Sequence, residues 1–171
     1  MKDKGRVFWI TGLAGSGKTT IGRKLYEYLS EKEKNVVFLD GDELRNVYND
    51  HDYSDEGRKL VVYRTTRLMK LLSDQGIDSI CCIIGMKHEY REWNRANFEN
   101  YYEIYLKVHK EELIRRDKKN LYSLALANKI DNVVGINSMC EEPKNPDIAI
   151  YNEGENTPDK VIKAIIEQLK L

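Results

Sequence analysis

The chain of 171 residues lacks the features that mark membrane, secreted and nucleic-acid-binding proteins. Lysine and arginine together number 28, as do aspartate and glutamate, so the formal net charge is zero. This balance argues against broad electrostatic attachment to nucleic acid or to an acidic membrane. The amino terminus has no apolar stretch long enough for a signal peptide or a membrane span. We therefore expect a cytoplasmic domain whose partners include neither nucleic acid nor a membrane.

Cysteine and histidine are scarce. The chain has three cysteines, and Cys81 and Cys82 are adjacent within an apolar run. That setting predicts buried thiols of a strand rather than a disulfide framework or a metal site. His51, His88 and His109 are isolated and form no metal or nucleophile cluster.

The sequence does contain a regular alternation of short apolar runs with segments of helical periodicity. The apolar runs predict five strands, at residues 6–11, 36–39, 77–84, 101–108 and 148–151. Helical spacing occupies residues 19–30, a segment that ends near Gly76, and residues 110–132 and 158–171. This order predicts a single α/β domain over residues 1–171, a three-layer α/β/α sandwich with a mainly parallel sheet.

Between the first strand and the first helix lies the pattern G-x-x-x-x-G-K-T. Backbone N–H groups of such a loop, together with the helix N-terminus, bind phosphates. Lys18 is expected at the β- and γ-phosphates, and the Thr19 hydroxyl is expected as a Mg²⁺ ligand. The alternative is a glycine-rich turn that matches by chance. The predicted ATP-binding residues here are Gly12, Ala14, Gly15, Ser16, Gly17, Lys18, Thr19 and Thr20.

Acidic residues follow the second predicted strand at the carboxyl edge of the sheet, where open α/β sheets bind ligands. Asp40 is expected to orient Mg²⁺ or to take a proton from an attacking hydroxyl. Asp42 and Arg45 are expected to grip the phosphate acceptor. The alternative is an ordinary turn that caps the next helix.

A basic run at residues 115–119 predicts cations that close over the triphosphate, with Arg116 at the nucleotide and Lys119 at the acceptor. A solvated helix face is the alternative for any one of them. We expect a mobile lid over about residues 115–146, because residues 133–146 are rich in glycine, asparagine and proline.

One feature points to a GTPase switch instead. Residues 128–131 match the guanine-reading N-K-x-D spacing, but no D-x-x-G element occurs anywhere in the chain. We interpret residues 128–131 as a solvated helix end, and we favour a kinase.

Taken together, these motifs resemble the adenylylsulfate kinase family, whose members phosphorylate the 3′-hydroxyl of adenosine 5′-phosphosulfate with MgATP. The resemblance implies a P-loop fold, a homodimer, and a base or metal-orienting aspartate at Asp40. The matching stretches are Trp9–Leu13, the phosphate loop, Leu39–Asp42 with Arg45, Arg116–Asp117, Lys119, Leu121–Tyr122, Gly135–Ile136, Glu141, Pro143 and Asn145–Pro146.

The resemblance breaks down in the acceptor pocket. The family pattern G-F-S-x-x-D-R-x-x-N-x-R-R corresponds to residues 52–64, where Val61 replaces the asparagine. Val133 stands where the family's K-x-F-T-G has phenylalanine, and Gly85 replaces the serine of F-I-S-P-Y. The residues expected to bind the acceptor are Asp42, Arg45, Tyr53, Arg58, Arg64, Ile84, Gly85, Lys119 and Val133.

These departures suggest a different acceptor nucleotide. One branch similar to this family phosphorylates the ribose 3′-hydroxyl of cytidine diphosphoramidate, during phosphoramidate decoration of capsular polysaccharide. A pyrimidine between Tyr53 and Val133 suits the changed pocket, and arginines suit the anionic diphosphoramidate. Adenylylsulfate is the alternative acceptor.

Overall fold

The computed structural model describes residues 3–171, apart from the side chain of Lys118. No helix within this range is long and apolar enough to span a bilayer. In chain order the elements are β1 (Val7–Thr11), α1 (Lys18–Lys32), β2 (Val36–Asp40), α2 (Gly41–Tyr48), α3 (Asp55–Asp74), β3 (Asp78–Cys82), α4 (His88–Asn97), β4 (Tyr101–Lys107), α5 (Lys110–Arg116), a 3₁₀ turn (Lys118–Asn120), α6 (Leu121–Leu126), β5 (Ile148–Tyr151) and α7 (Pro158–Leu169).

The five strands form one sheet in the order β2-β3-β1-β4-β5, and every pairing is parallel. β1 is therefore the central strand, and the loop that follows it opens at the middle of the sheet's carboxyl edge. β2 ends at the same edge with Asp40. This topology confirms the predicted α/β fold and brings the two predicted motifs to one side of the molecule.

Alternate side chains of β1 enter two different cores, as the pleat of a strand requires. Phe8 and Ile10 pack with α1 and α7 on one face of the sheet. Val7 and Trp9 pack with α3 and α4 on the other face. The adjacent thiols of β3 divide in the same way and are both buried, as predicted. Helices thus cover both faces of the sheet and complete the three-layer sandwich.

The prediction of one helix across residues 110–132 is wrong. The chain turns between α5 and α6, where Asp117, Lys119 and Asn120 have positive φ values of 29°, 63° and 56°. The Asp117 carboxylate stabilises this turn, since its Oδ1 accepts a hydrogen bond of 2.8 Å from the backbone N–H of Tyr122. After α6 ends at Leu126, residues 127–132 form no regular helix.

Candidate active site

The phosphate-binding loop joins β1 to α1. Gly17, at the N-terminal end of α1, has φ of 89°, a left-handed conformation that favours glycine. A β-carbon at this position would also overlap Nδ2 of Asn152, which donates a 2.7 Å hydrogen bond to the Ser16 carbonyl. The loop conformation therefore depends on Gly17, and the hydrogen bond from the Asn152 amide stabilises it. Its position at a helix N-terminus suits it to phosphate.

Two residues of α1 and the end of β2 bring together the predicted catalytic groups. The Lys18 ammonium donates to the Leu13 carbonyl at 2.8 Å, so its charge lies over the loop. The Thr19 hydroxyl donates to Asp40 Oδ2 at 2.7 Å. Asp40 Oδ1 accepts from the backbone N–H of Asp42 at 2.9 Å and so caps α2. The capping role that the sequence left open is therefore real, and it occupies only one of the two carboxylate oxygens.

The residues around the turn after α5 hold the phosphate loop in place. Arg116 donates to the Gly15 carbonyl at 3.1 Å and to the Asn152 carbonyl at 2.8 Å. The Tyr122 hydroxyl donates to the Ala14 carbonyl at 2.7 Å. Burial raises the pKa of Tyr122 to about 12, so this donor stays protonated at neutral pH. Two side chains near the start of the predicted lid segment, Arg116 and Tyr122, therefore contact the phosphate loop directly.

A cavity of about 530 Å³ runs from the phosphate loop past the end of β2 to α3 and α4. Most of the residues predicted for the site line this one cavity. They are Ala14, Gly15, Gly17, Lys18, Thr19, Thr20, Asp40, Asp42, Arg45, Tyr53, Arg58, Ile84, Gly85, Arg116 and Lys119.

At the end of the cavity away from the loop, one aromatic ring lies close to two cations. The guanidinium carbons of Arg45 and Arg58 lie 4.4 and 5.5 Å from the centroid of the Tyr53 ring. Burial, together with the charge of Arg45, lowers the pKa of Arg58, which remains a cation at neutral pH. The arrangement offers an exposed aromatic face with positive charge beside it, which suits an anionic nucleotide.

Gly85 follows β3 with φ of 46°, and a β-carbon there would strike the Trp9 ring. The space at this position therefore suits glycine and excludes the serine that the family has here. Arg91 donates to the Gly85 carbonyl at 3.0 Å and to the Glu141 carbonyl at 2.7 Å. Arg91 therefore ties this wall of the cavity to the segment that carries Glu141, a role that the sequence did not reveal.

Four predicted site residues do not line the cavity: Gly12, Ser16, Arg64 and Val133. Gly12 and Ser16 are part of the phosphate loop, and Ser16 is buried. Arg64 pairs with Asp50 at 3.1 Å, and Asp50 also pairs with Arg45 at 3.6 Å. Val133 is buried against Leu113 and Tyr122, so the residue on the cavity wall is Val134 instead.

Contacts across the mouth of the cavity join the predicted lid segment to the opposite wall. Lys119 pairs with Asp42 at 3.0 Å, and both side chains are exposed. Arg58 donates to the Asn132 carbonyl at 2.7 Å. Ser138 donates to Asp55 at 3.0 Å. These polar contacts join the predicted lid segment to α2 and α3 beside the acceptor end of the cavity.

Sequence reasoning missed several residues of the site. Val62, Met86, Tyr90 and Val134 also line the cavity. Val62 and Tyr90 lie on helices, and an apolar residue on a helix face carries the same signal whether it packs in the core or lines a pocket, so periodicity alone does not separate these roles. Asn152 offered a better signal, as a polar residue at the carboxyl end of the last strand.

The residues that match the guanine-reading pattern lie outside the site. Residues 128–131 follow the end of α6, and none of them lines the cavity. Asn128, Lys129 and Asp131 are exposed. The interpretation of this stretch as a solvated helix end agrees with its position.

A parallel α/β sandwich with this phosphate loop, and a carboxylate beside the loop's threonine, defines a P-loop phosphotransferase. The family model for adenylylsulphate kinase matches residues 4–151. The chain is 43% identical to cytidine diphosphoramidate kinase of Campylobacter jejuni subsp. jejuni serotype O:2, over 100% of both chains. It is 36% identical to the adenylyl-sulfate kinase of Pseudomonas aeruginosa, over 99% of this chain and 87% of that protein.

Among solved structures, the fold matches the APS kinase of Mycobacterium tuberculosis in complex with AMPPNP and APS. The TM-score is 0.89 at 29% identity, over 99% of each chain. The chain belongs to the adenylylsulfate kinase family. It is accordingly a kinase that transfers phosphate to a hydroxyl group, and nothing in these similarities points to a GTPase switch.

Proposed function

We propose that this kinase transfers the γ-phosphoryl group of ATP to the ribose 3′-hydroxyl of cytidine diphosphoramidate, in the phosphoramidate decoration of a capsular polysaccharide. One observation carries the proposal: the donor end of the cavity keeps the family pattern, and the acceptor end departs from it. Lys18, Thr19 and Asp40 are retained at the donor end, whereas Val61 and Gly85 replace family residues at the acceptor end. The 43% identity to a cytidine diphosphoramidate kinase supports the same acceptor.

The donor half of the site suits the triphosphate of ATP. Backbone N–H groups of the loop and the N-terminus of α1 would bind the phosphate oxygens. Lys18 would leave the Leu13 carbonyl and neutralise charge on the γ-phosphoryl group as it departs. Arg116, already bonded to the loop at Gly15, would add a second cation beside the nucleotide.

The site also fits a magnesium ion. A hydroxyl and a carboxylate oxygen at 2.7 Å, from Thr19 and Asp40, are the hard oxygen donors that Mg²⁺ prefers in kinase sites. In the described part of the chain, no three His, Cys, Asp or Glu side chains cluster into a separate metal site. Mg²⁺ bound here would neutralise negative charge on the β- and γ-phosphates.

The acceptor half suits a nucleotide whose 3′-hydroxyl faces Asp40. Asp40 Oδ2 would accept the proton of that hydroxyl as its oxygen forms the new bond to phosphorus and the bond from phosphorus to the β-γ bridging oxygen breaks. Arg45 and Arg58 would meet the anionic 5′ group, and Tyr53 would stack on the base. The lid segment, which contacts α2 and α3 beside the acceptor, would help to exclude water during transfer.

An acceptor assay tests this function. Purified protein would be given MgATP with cytidine diphosphoramidate or with adenylylsulfate, and ADP release would be followed for each. We expect turnover with the cytidine compound, and phosphorus NMR should locate the new phosphate on the ribose 3′-hydroxyl. Brisk turnover of adenylylsulfate with none of the cytidine compound would refute the proposal and identify adenylylsulfate as the acceptor.

We also propose that the chain is a homodimer, as its membership of the family implies. Light scattering of the purified protein would measure the molar mass. A mass near twice that of the 20.0 kDa chain is expected, and a monomer at assay concentrations would contradict the proposal.

A further inference from the structure

Tyr90 reaches the cavity wall from the first turn of α4. Its side chain is almost fully buried, with 2% of the residue exposed, and it lies in the apolar cluster with Val61 and Val62. Its ring meets that of Tyr63 edge-on at a centroid distance of 5.8 Å. Tyr90 nevertheless lines the same cavity as the phosphate loop and Arg58. A buried aromatic residue thus contributes directly to the acceptor end of the site.

The Tyr90 hydroxyl is the unusual part of this side chain. Its oxygen is buried and has no hydrogen-bond partner among the residues that the structure describes. Its neighbour Tyr63 differs, because the Tyr63 hydroxyl donates to Glu89 at 3.2 Å. A buried hydroxyl without a partner costs free energy, and native structures contain few of them. A ligand that supplies the missing partner would recover that cost when it binds.

The environment of this hydroxyl also decides what kind of partner suits it. Burial, reinforced by the nearby Glu89, raises the pKa of Tyr90, so the phenol is a neutral donor across the physiological range. Val61 and Val62 pack with Tyr90 in one apolar cluster. The carboxylates of Glu89, Asp55 and Glu56 also act on its hydroxyl. A neutral donor among apolar and acidic groups suits a neutral ring oxygen or nitrogen. A phosphate would instead be drawn to Arg45 and Arg58.

We infer that Tyr90 is a specificity-determining residue whose hydroxyl donates a hydrogen bond to an acceptor atom on the nucleobase of the phosphate acceptor. The inference rests on the proposed function in so far as the acceptor is a nucleotide. In cytosine, the ring carbonyl and the unprotonated ring nitrogen are both able to accept such a bond. Tyr53 would then supply the stacking face and Tyr90 the polar contact at the edge of the base.

The variant Tyr90→Phe tests this directly, because it removes one oxygen and keeps the ring that packs against Tyr63. We expect the KM for the acceptor to rise about tenfold, with kcat and the KM for ATP unchanged. The unfolding temperature of the free protein should stay equal or rise, since an unpartnered buried hydroxyl is lost. Tyr63→Phe is the matched control, and it should leave the KM for the acceptor at the wild-type value.

Calorimetric binding of cytidine 5′-diphosphate to the wild type and to Tyr90→Phe gives a readout that does not depend on turnover. About tenfold weaker binding by the variant is expected. Equal dissociation constants, or weaker binding of ATP instead of the acceptor, would overturn the inference. The Tyr90 hydroxyl would then bond to an ordered water or have no partner. If the wild type phosphorylates neither acceptor, the proposed function fails, and this binding comparison still decides the role of Tyr90.

Discussion

The hydroxyl of Thr19 and the Oδ2 atom of Asp40 lie 2.7 Å apart, across the gap between the phosphate loop and the end of β2. The other carboxylate oxygen is engaged with the backbone of α2, through the N–H of Asp42. Asp40 is therefore held in one orientation, and the oxygen that faces Thr19 is the one available to a metal ion or to a hydroxyl proton. This geometry separates the structural role of Asp40 from its proposed chemical role.

The variant Asp40→Asn makes use of that separation. Asparagine caps helices as well as aspartate does, so α2 should be preserved while the negative charge is lost. We expect kcat to fall by about 10²–10³-fold and the Mg²⁺ concentration for half-maximal rate to rise. Steady-state kinetics over a Mg²⁺ titration would measure both. Glu43→Gln, which neutralises an exposed carboxylate paired with Arg23, is the control. A wild-type magnesium dependence in Asp40→Asn would show that Asp40 has no metal role.

Lys18 is expected to act on the transition state with little effect on folding. Its Nζ contacts the Leu13 carbonyl at 2.8 Å, and the side chain is only partly buried. In Lys18→Ala we expect kcat to fall by roughly 10²–10³-fold, with the free energy of unfolding changed by less than about 1 kcal/mol. Lys24→Ala is the control on the same helix, since Lys24 pairs with Asp159 on the outer surface. Near-normal turnover in Lys18→Ala would remove Lys18 from the mechanism.

Two of the three arginines that the sequence assigned to the acceptor, Arg58 and Arg64, are expected to behave differently. Arg58 lines the cavity and contacts Asn132, whereas Arg64 pairs with Asp50 outside it. Arg58→Ala should raise the KM for the acceptor by about tenfold or more, because it removes a partly buried cation from an anionic ligand. Arg64→Ala should change that KM by less than about threefold. If the two variants raise the KM for the acceptor equally, Arg64 binds the acceptor, as the sequence predicts.

The case of Arg64 shows what the sequence contained and what it did not. Arg58 and Arg64 are six residues apart, which places them about 120° apart around an α-helix. Val61 and Val62 are three and four residues from Arg58 and share its face, and the structure finds both in the cavity wall. Helical periodicity, applied to the family motif, separates the two arginines by about 120°, with Val61 between them, and of the two the structure places Arg58 on the cavity wall. The motif alone treats both as acceptor residues and does not separate them.

The donor half was predictable because its signals are local. A buried strand, a glycine-rich loop and an acidic strand end each lie within a few residues of sequence, and the parallel sheet brings their carboxyl ends together. The lid segment was not predictable in the same way. Positive φ values at Asp117, Lys119 and Asn120 break the helix, although charged residues there continue a helical pattern. Beyond α6 no regular periodicity remains to show whether Val133 or Val134 faces the cavity.

Asn152 lies at a junction that neither motif nor periodicity had marked. Its side-chain amide donates to the Ser16 carbonyl at 2.7 Å, and its backbone carbonyl accepts from Arg116 at 2.8 Å. Asn152 is buried and follows the last strand of the sheet. The residue therefore joins the sheet, the phosphate loop and Arg116 of the lid segment, and it should fix the loop in its phosphate-binding shape.

The variant Asn152→Ala removes the amide and keeps the backbone bond to Arg116. We expect the KM for ATP to rise by up to about tenfold, since one buried hydrogen bond that orders the loop contributes about 0.5–1.5 kcal/mol. The KM for the acceptor should stay the same, because the contacts of Asn152 are with Ser16 and Arg116 at the donor end. Asn156→Ala is the matched control, as its amide donates to the Tyr151 carbonyl on the exposed side of the same segment. A KM for ATP that is equal in the two variants would show that the loop holds its shape without Asn152. If only the KM for the acceptor rises, the Asn152 amide acts on the acceptor end of the site and not on the phosphate loop.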